Sequence, residues 1–271
     1  MGGLGKRSIN IRKNIMQMVR HGRRGHVPSA LSIVEILLVL YDHIMRYKAD
    51  DPDWPGRDRF ILSKGHGCLA LYAILGDKGF FPKSEWKGFC TLDGILGGHP
   101  TKEKIPGVEA STGSLGHGLS IGVGLALAAK LDNKDYRTFV LLGDGECNEG
   151  SVWEAAMGAA KHELNNLVVL VDYNKHQSYS ATREICDLEP FLDKWKAFGF
   201  MVNEVDMVKD PEALKARLSR VPYSNSRKPL VVICHTVKGM GVPFLENNLS
   251  WHHKSSISDE DIDRILVALG G

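Results

Sequence analysis

The stretch LLGDGECNEG, residues 141–150, joins an apolar run to a cluster of acids and glycines. Residues 139–142 are all large and apolar, which is typical of a strand buried inside a sheet. Directly after them, Gly143 and Gly145 flank Asp144, and glycine lets a backbone turn sharply and approach a ligand closely. The stretch therefore predicts a buried strand that ends at a carboxylate.

The rest of the chain alternates between strand-like and helix-like segments. The next strand, at 167–172, is as uniformly apolar as the one at 138–142, which is typical of a parallel sheet covered on both faces. Further strands are expected at 57–65, 200–205 and 229–235, and helices at 6–20, 28–45, 68–79, 117–131, 151–163, 189–198, 211–220 and from 258 onward. This order predicts an α/β fold, doubly wound, with a mainly parallel sheet, helices on both faces and a single domain over 1–271.

Composition excludes several classes of protein. The 271 residues carry a net charge of +2, so no nucleic-acid partner is expected. No uninterrupted apolar run reaches the roughly 18 residues of a membrane span, because Glu35 breaks the best candidate, and no membrane partner is expected. The five cysteines are scattered without a CxxC pair, which indicates reduced thiols and a cytoplasmic protein.

Two polar side chains follow consecutive strands of the predicted sheet. Asp144 follows the first strand, and Asn174 comes 30 residues later, just after the second. Ligands of open parallel sheets bind beyond the carboxyl ends of the strands. Both side chains offer hard oxygen atoms, which suit Mg²⁺ or Ca²⁺, and Mg²⁺ usually completes its shell with phosphate oxygens and water. Asp144 is therefore a candidate for holding a divalent ion that binds a diphosphate, although it could instead simply cap the helix at 151.

The spacing of these residues resembles the thiamine-diphosphate motif, in which GDG is followed after about this interval by an asparagine. Four histidine segments and a glycine-rich segment extend the likeness: GHVPSA with His26, SKGHG with His66, LGGHP with His99, ENNLSWHHK with His252, and STGSLGHG. Together they resemble the amino-terminal third of transketolase, from about residue 8 to residue 265.

The resemblance implies a role for each matching residue. The side chains of Asp144 and Asn174 and the backbone carbonyl of His176 would bind Mg²⁺, Ca²⁺ or Mn²⁺. The expected contacts with thiamine diphosphate are His66, Gly113, Ser114, Leu115, Gly143, Asp144, Gly145, Glu146, Asn174 and His176. The expected catalytic residues are the channel histidines His26, His66, His99 and His252, together with Glu149, which would join a carboxylate network at a subunit interface. His253 is the alternative to His252, which we favour. Lys238 and Asn247 are expected to be solvated residues of the long loop 236–256.

The resemblance also implies what this chain does not carry. Members of the family bind the cofactor between two α/β domains, so a pyrimidine-binding domain and a carboxyl-terminal domain are expected on a partner chain. The sequence ends in a capped helix, with Ser258 at the N-cap, which favours a natural subunit. We expect a split transketolase, an α₂β₂ assembly acting on sugars or sugar phosphates, in which this chain alone is inactive.

Other interpretations stay open from the sequence. The α subunit of a 2-oxoacid dehydrogenase is also split and carries GDG…N, but it lacks the histidines equivalent to His66 and His99. Further alternatives are a deoxyxylulose-phosphate-synthase-like enzyme and a non-catalytic scaffold subunit. A nicotinamide-binding Rossmann enzyme is disfavoured, because GVGLALAAK lies within a predicted helix and not after a strand.

Overall fold

Five parallel strands form one sheet in the computed structural model, which describes residues 5–222, 225–252, 254 and 256–270. The strand order is β1-β2-β3-β5-β4. The strands are β1 Arg59–Leu62, β2 Thr138–Gly143, β3 Leu167–Tyr173, β4 Met201–Asp206 and β5 Leu230–His235. All four neighbouring pairs are parallel, as the apolar runs predict.

Helices connect the strands and cover both faces of this sheet. They are α1 Lys6–Gly22, α2 Val27–Leu31, α3 Val34–Val39, α4 Cys68–Lys78, α5 Gly118–Leu131, α6 Gly150–Lys161, α7 Thr182–Ile185, α8 Phe191–Ala197, α9 Glu212–Leu218 and α10 Asp259–Ala268. In β2, Phe139 and Leu141 face a core layer shared with α1 to α4, while Val140 and Leu142 face a second layer shared with α5, α6 and α8. The predicted doubly wound α/β fold is confirmed.

The helix expected over 28–45 is interrupted. It forms α2 and α3, and α3 continues as a π-helical turn over Leu40–Ile44. At the interruption, the Ser32 hydroxyl donates a hydrogen bond to Asp172 Oδ2 at 2.7 Å. Contrary to the expectation from Glu35, the stretch Val27–Ile44 is long and apolar enough to cross a membrane by length and composition, but 89% of it is buried inside the protein. Here it is a core element.

A buried ion pair connects α1 to α3, and its arginine also contacts the loop after β5. Arg12 Nη1 lies 2.7 Å from Glu35 Oε1, and both side chains are almost inaccessible to solvent. The same guanidinium donates to the backbone carbonyl of Met240 at 2.9 Å. This hydrogen bond fixes the loop after β5, which borders the candidate site.

The carboxyl ends of the central strands meet at one edge of the sheet. Leu62 lies beside Leu141, Gly143 beside Asp172, and Tyr173 beside His235. The segments that follow β1, β2, β3 and β5 therefore leave the sheet next to one another, and they carry most of the residues singled out in the sequence.

Candidate cofactor-binding site

Asp144 is buried at the end of β2, with 2% of its surface exposed. Its Oδ1 accepts a hydrogen bond from the Gly145 amide at 2.8 Å, and its Oδ2 accepts one from the Lys175 amide at 2.6 Å. Burial, together with the negative charge of Asp172, raises the pKa of Asp144 to about 7. A carboxylate in this position would be stabilised by an added cation.

The second predicted ligand, Asn174, lies on the loop that these hydrogen bonds hold against Asp144. Asn174 is 6% exposed. Its Oδ1 accepts from the His176 amide at 3.1 Å, while its Nδ2 donates to Asp172 Oδ2 at 2.9 Å. Asp144, Asn174 and His176 are thus brought together, as the resemblance implies. All the oxygens concerned are hard donors.

The sequence did not predict that a buried ion pair, between Lys64 and Asp172, forms part of this site. Lys64 Nζ lies 2.5 Å from Asp172 Oδ2, and their side chains are 1% and 0% exposed. Burial alone would raise the pKa of Asp172, but the Lys64 ammonium and hydrogen bonds from Thr236 and Ser32 lower it overall. Signals for the pair existed, since Lys64 lies in SKGHG and an acid at 172 interrupts an apolar strand.

The expectation of a solvated Lys238 is wrong. Its side chain is 2% exposed, and its ammonium donates to the backbone carbonyls of His176 and Gln177, each at 3.1 Å. Burial and the nearby charge of Lys64 lower the pKa of Lys238 to about 8. Asn247 is exposed, as expected. Lys238 therefore supports the loop that carries the proposed metal-binding carbonyl.

Glycines let three segments pack closely at this edge. A Cβ on Gly145 would come within 2.7 Å of the Gln177 side chain, and one on Gly65 within 2.8 Å of the Gly113 amide nitrogen. Gly113 itself has a φ of +146° and lies against the His99 ring, 2.9 Å from the position of an added Cβ. The segments around 65, 113 and 145 are thus packed against neighbouring protein atoms more closely than a side chain at these positions would permit.

Glu146 is buried and forms hydrogen bonds with residues from three neighbouring segments. Its carboxylate accepts hydrogen bonds from the Ser63 hydroxyl at 2.5 Å, the Gly116 amide at 2.9 Å and the Gly143 amide at 3.0 Å. Both of its oxygens are thereby used inside the chain, and burial raises its pKa. Glu146 therefore supports the site structurally, and its direct contact with a cofactor stays a prediction. Ser114 is exposed and Leu115 partly buried at the same edge.

The four predicted channel histidines converge. Ring centroids lie 5.4 Å apart for His26 and His66, 5.5 Å for His26 and His252, and 6.2 Å for His66 and His252. His26 Nδ1 is 3.0 Å from the His252 carbonyl, and His252 Nε2 is 3.1 Å from the Ser178 hydroxyl. His99 joins His26 and His252 in the wall of one pocket. His253 lies outside the described residues, so the choice between it and His252 rests on the position of His252 alone.

The local environment keeps part of this cluster uncharged. Burial, then the positive charge of Lys64, then neighbouring histidines hold the pKa of His66 well below its ordinary value. Partial burial also lowers the pKa of His99. Neutral imidazoles can both accept and donate hydrogen bonds, so they can bind the hydroxyl groups of a sugar.

The lowered pKa of His66 predicts a pH-dependent stability. Below about pH 6.5 the unfolded chain takes up a proton at this histidine and the folded chain does not, so stability falls with acidification by about 1 kcal/mol per pH unit. Urea unfolding at pH 7.5 and 5.5 should show a smaller loss for His66→Gln than for the unmodified chain. His21→Gln, which removes an exposed histidine of α1, serves as the control. Equal losses in all three proteins would contradict this origin of the pH dependence.

Glu149 lies beside the glycine-rich segment that precedes α5. It is exposed, and its side chain is adjacent to Gly116, where an added Cβ would come within 2.7 Å of the Glu149 Cβ. The predicted role at an interface is compatible with this position and stays a prediction. Within the described ranges, no group of three His, Cys, Asp or Glu side chains lies close enough to hold a metal. The proposed ligand set, with one carboxylate, one amide and one backbone carbonyl, does not require such a group.

Comparisons with known proteins agree with this geometry. Residues 6–271 match the protein family described as "Transketolase, thiamine diphosphate binding domain". The chain is 44% identical over 242 residues to one subunit of the apulose-4-phosphate transketolase of Phocaeicola vulgatus, a match that covers 89% of this chain and 85% of that protein. It is 40% identical over 243 residues to the 6-deoxy-6-sulfo-D-fructose transketolase subunit SqwG of a Clostridium species, a match that covers 90% of this chain and 88% of that one.

Solved structures of longer transketolases share the fold. The transketolase from Leishmania mexicana superposes with a TM-score of 0.89 at 32% identity, over 98% of this chain and 41% of that chain. The chain therefore spans well under half of that enzyme. Its family membership and its fold both confirm the resemblance found in the sequence, and the chain belongs to the transketolase family, as its thiamine diphosphate-binding domain.

Proposed function

We propose that this chain is the thiamine diphosphate-binding subunit of a split transketolase, which transfers a two-carbon ketol unit from a ketose to an aldose. One observation carries the proposal: the Asp144–Asn174 edge of the sheet lies beside a cluster of histidines whose rings are 5.4–6.2 Å apart. A diphosphate-binding edge next to uncharged imidazoles combines a place for the cofactor with groups that bind a polyol.

A divalent cation, Mg²⁺ or in its place Ca²⁺ or Mn²⁺, is proposed at Asp144, Asn174 and the His176 carbonyl. The donor chemistry fits, since all three oxygens are hard, and the buried Asp144 carboxylate lies beside the charge of Asp172, which raises its pKa. The hydrogen bonds to the Lys175 and His176 amides fix the loop without a metal. A cation would balance the negative charge of Asp144.

The histidines are proposed to bind and to move protons on the sugar. Thiamine diphosphate, when bound, supplies the electron sink that cleavage next to a carbonyl requires. The lowered pKa values of His66 and His99 keep both imidazoles neutral, so each is proposed to accept a hydrogen bond from a sugar hydroxyl and, in the reaction, its proton. The His252 carbonyl accepts a hydrogen bond from His26 Nδ1 at 3.0 Å and so orients the His26 ring.

A partner subunit is proposed to complete the active site. The relatives are named as subunits, and the longer transketolase resembled here has more than twice the matched length. We propose that the partner carries the pyrimidine-binding and carboxyl-terminal domains, that Glu149 lies at an interface in an α₂β₂ assembly, and that the single diphosphate-binding domain covers 1–271. The five free cysteines support a cytoplasmic location.

Sugars or sugar phosphates are the proposed substrates. The relatives named above act, by their names, on apulose 4-phosphate and on 6-deoxy-6-sulfo-D-fructose. Both are sugars that carry an anionic group. The 2-oxoacid dehydrogenase, synthase-like and scaffold alternatives are not favoured, because the relatives and the solved structures named above are transketolases.

The proposal is tested by co-expressing the chain with its candidate partner and assaying ketol transfer. Thiamine diphosphate with Mg²⁺ should raise the melting temperature of the complex by several degrees, and NAD should not, because binding to the folded state alone stabilises it. Ketol transfer should require both subunits. A complex that neither responds to the cofactor nor transfers a ketol unit would show that the chain is a scaffold.

A further inference from the structure

Arg24 is directed to the site by a sharp turn at the end of α1. Arg23 has a left-handed backbone, with a φ of 56°, and its side chain turns away to pair with Asp259 at 2.7 Å. Gly25 has a φ of +124°, and an added Cβ there would come within 2.8 Å of Leu69. Only glycine suits that position, so the turn is built into the sequence RRGH and fixes Arg24 relative to His26.

Arg24 lies in the wall of the pocket that contains the histidines. The pocket has a volume of about 320 Å³, and its lining includes Arg24, His26, Cys90, His99, His252 and Lys254. The positive charge of Arg24 also reaches the Cys90 thiol, whose pKa is raised by burial and partly lowered by this arginine. The Arg24 guanidinium therefore lies close enough for its charge to affect other groups that line the pocket.

The side chains that line this pocket include cations, and of these Arg24 has the fewest contacts with an acid or an aromatic ring. No aspartate or glutamate is among the described residues that line it. Lys254 is engaged elsewhere: its ammonium lies 2.6 Å from Asp261 and 3.9 Å from the centre of the Trp251 ring. Arg24 makes no ion pair or hydrogen bond within the described part of the chain and is exposed. The histidines, with lowered pKa at His99, bind hydroxyls better than they balance an anion.

We propose that Arg24 binds the anionic group, a phosphate or a sulfonate, that the sugar substrate carries at the end away from its reacting carbonyl. The inference rests on the proposed function and adds a specificity-determining residue to it. The guanidinium is always charged and presents a planar fork of donors, which matches two oxygens of a tetrahedral oxyanion. The neighbouring imidazoles contact the hydroxyls of the same sugar.

The experiment compares donors that differ only in this group. The complex of this chain with its partner subunit is assayed with D-fructose 6-phosphate, 6-deoxy-6-sulfo-D-fructose and D-fructose, each with glycolaldehyde as an uncharged acceptor. Arg24→Gln should lower kcat/KM for the anionic donors by about 10- to 100-fold, mainly through KM, and for D-fructose by less than about 3-fold. The donor that loses more identifies the preferred anion.

Two further variants separate a contact from general effects. Arg24→Lys keeps the charge but not the fork and should recover only part of the loss. Arg20→Gln removes an equal charge from an α1 residue that pairs with Asp263 at 2.6 Å, and it should leave all three donors unaffected. Equal losses for fructose and its phosphate, or no loss in Arg24→Gln, would overturn the proposal. Failure of the proposed function would be visible separately, as absence of ketol transfer by the unmodified complex, and would overturn both.

Discussion

Replacing Asp144 by asparagine should remove cofactor binding while leaving the fold intact. The substitution keeps the shape of the side chain but deletes the charge that the proposed cation requires. Loss of a residue that only supports a metal ligand typically lowers affinity 10- to 100-fold, so we expect apparent affinity for thiamine diphosphate and Mg²⁺ to fall by more than about 100-fold. The measurement is a titration of both ligands against the complex, followed by ketol-transfer activity.

The stability of the cofactor-free protein shows whether Asp144→Asn disturbs the fold as well as cofactor binding. Removal of a buried charge next to Asp172 relieves repulsion, but an amide has one acceptor oxygen for the two amides that Asp144 now satisfies. The free energy of unfolding without cofactor should therefore change by no more than about 1 kcal/mol. Asp193→Asn, at an exposed ion pair, is the matched control. An Asp144→Asn complex that binds the cofactor as the unmodified protein does would disprove the role of Asp144.

Replacing Lys64 by methionine should destabilise the protein by about 3–5 kcal/mol, because it leaves the carboxylate of Asp172 buried without its partner. The pair is separated by 2.5 Å and has almost no exposed surface. Relief of the repulsion between Lys64 and Lys238 offsets a small part of this loss. Urea unfolding of the isolated chain at pH 8 measures the effect.

A second substitution separates charge from packing in this pair. The double variant Lys64→Met/Asp172→Asn removes both charges and should be more stable than Lys64→Met alone. The exposed pair of Lys196 and Asp193, at 2.9 Å, gives the control: Lys196→Met should change stability by less than about 1 kcal/mol. A loss below 1 kcal/mol in Lys64→Met, or a double variant less stable than the single, would show that this ion pair is not a main support of the site.

Features that depend on local sequence were predictable. The strands β2 and β3 were recognisable because a strand covered on both faces must be apolar along its whole length. The cap of α10 was equally local: the Ser258 hydroxyl accepts from the Asp261 amide, and Asp261 accepts from the Ser258 amide in return. The convergence of Asp144 and Asn174 followed from adjacent parallel strands ending at one edge of the sheet.

Features that depend on residues distant in the sequence were not predictable. Ser32 lies within an apolar helical pattern, and nothing near it in sequence reveals that its hydroxyl binds Asp172, 140 residues away. Lys238 lies on a polar loop and was expected to face solvent, yet its partners are carbonyls 61 and 62 residues earlier in the chain. Such contacts arise only once β3 and β5 are paired. The role of Arg24 likewise appears only when the walls of the pocket are assembled.

The most direct test of the central claim is a crystal structure of the complete complex with thiamine diphosphate and Mn²⁺, using the anomalous signal of manganese to locate the ion. We predict one peak within about 2.5 Å of an Asp144 carboxylate oxygen, the Asn174 side-chain oxygen and the His176 carbonyl, in contact with the diphosphate. A manganese ion bound elsewhere, with Asp144 and Asn174 still bonded only to the protein, would contradict the account.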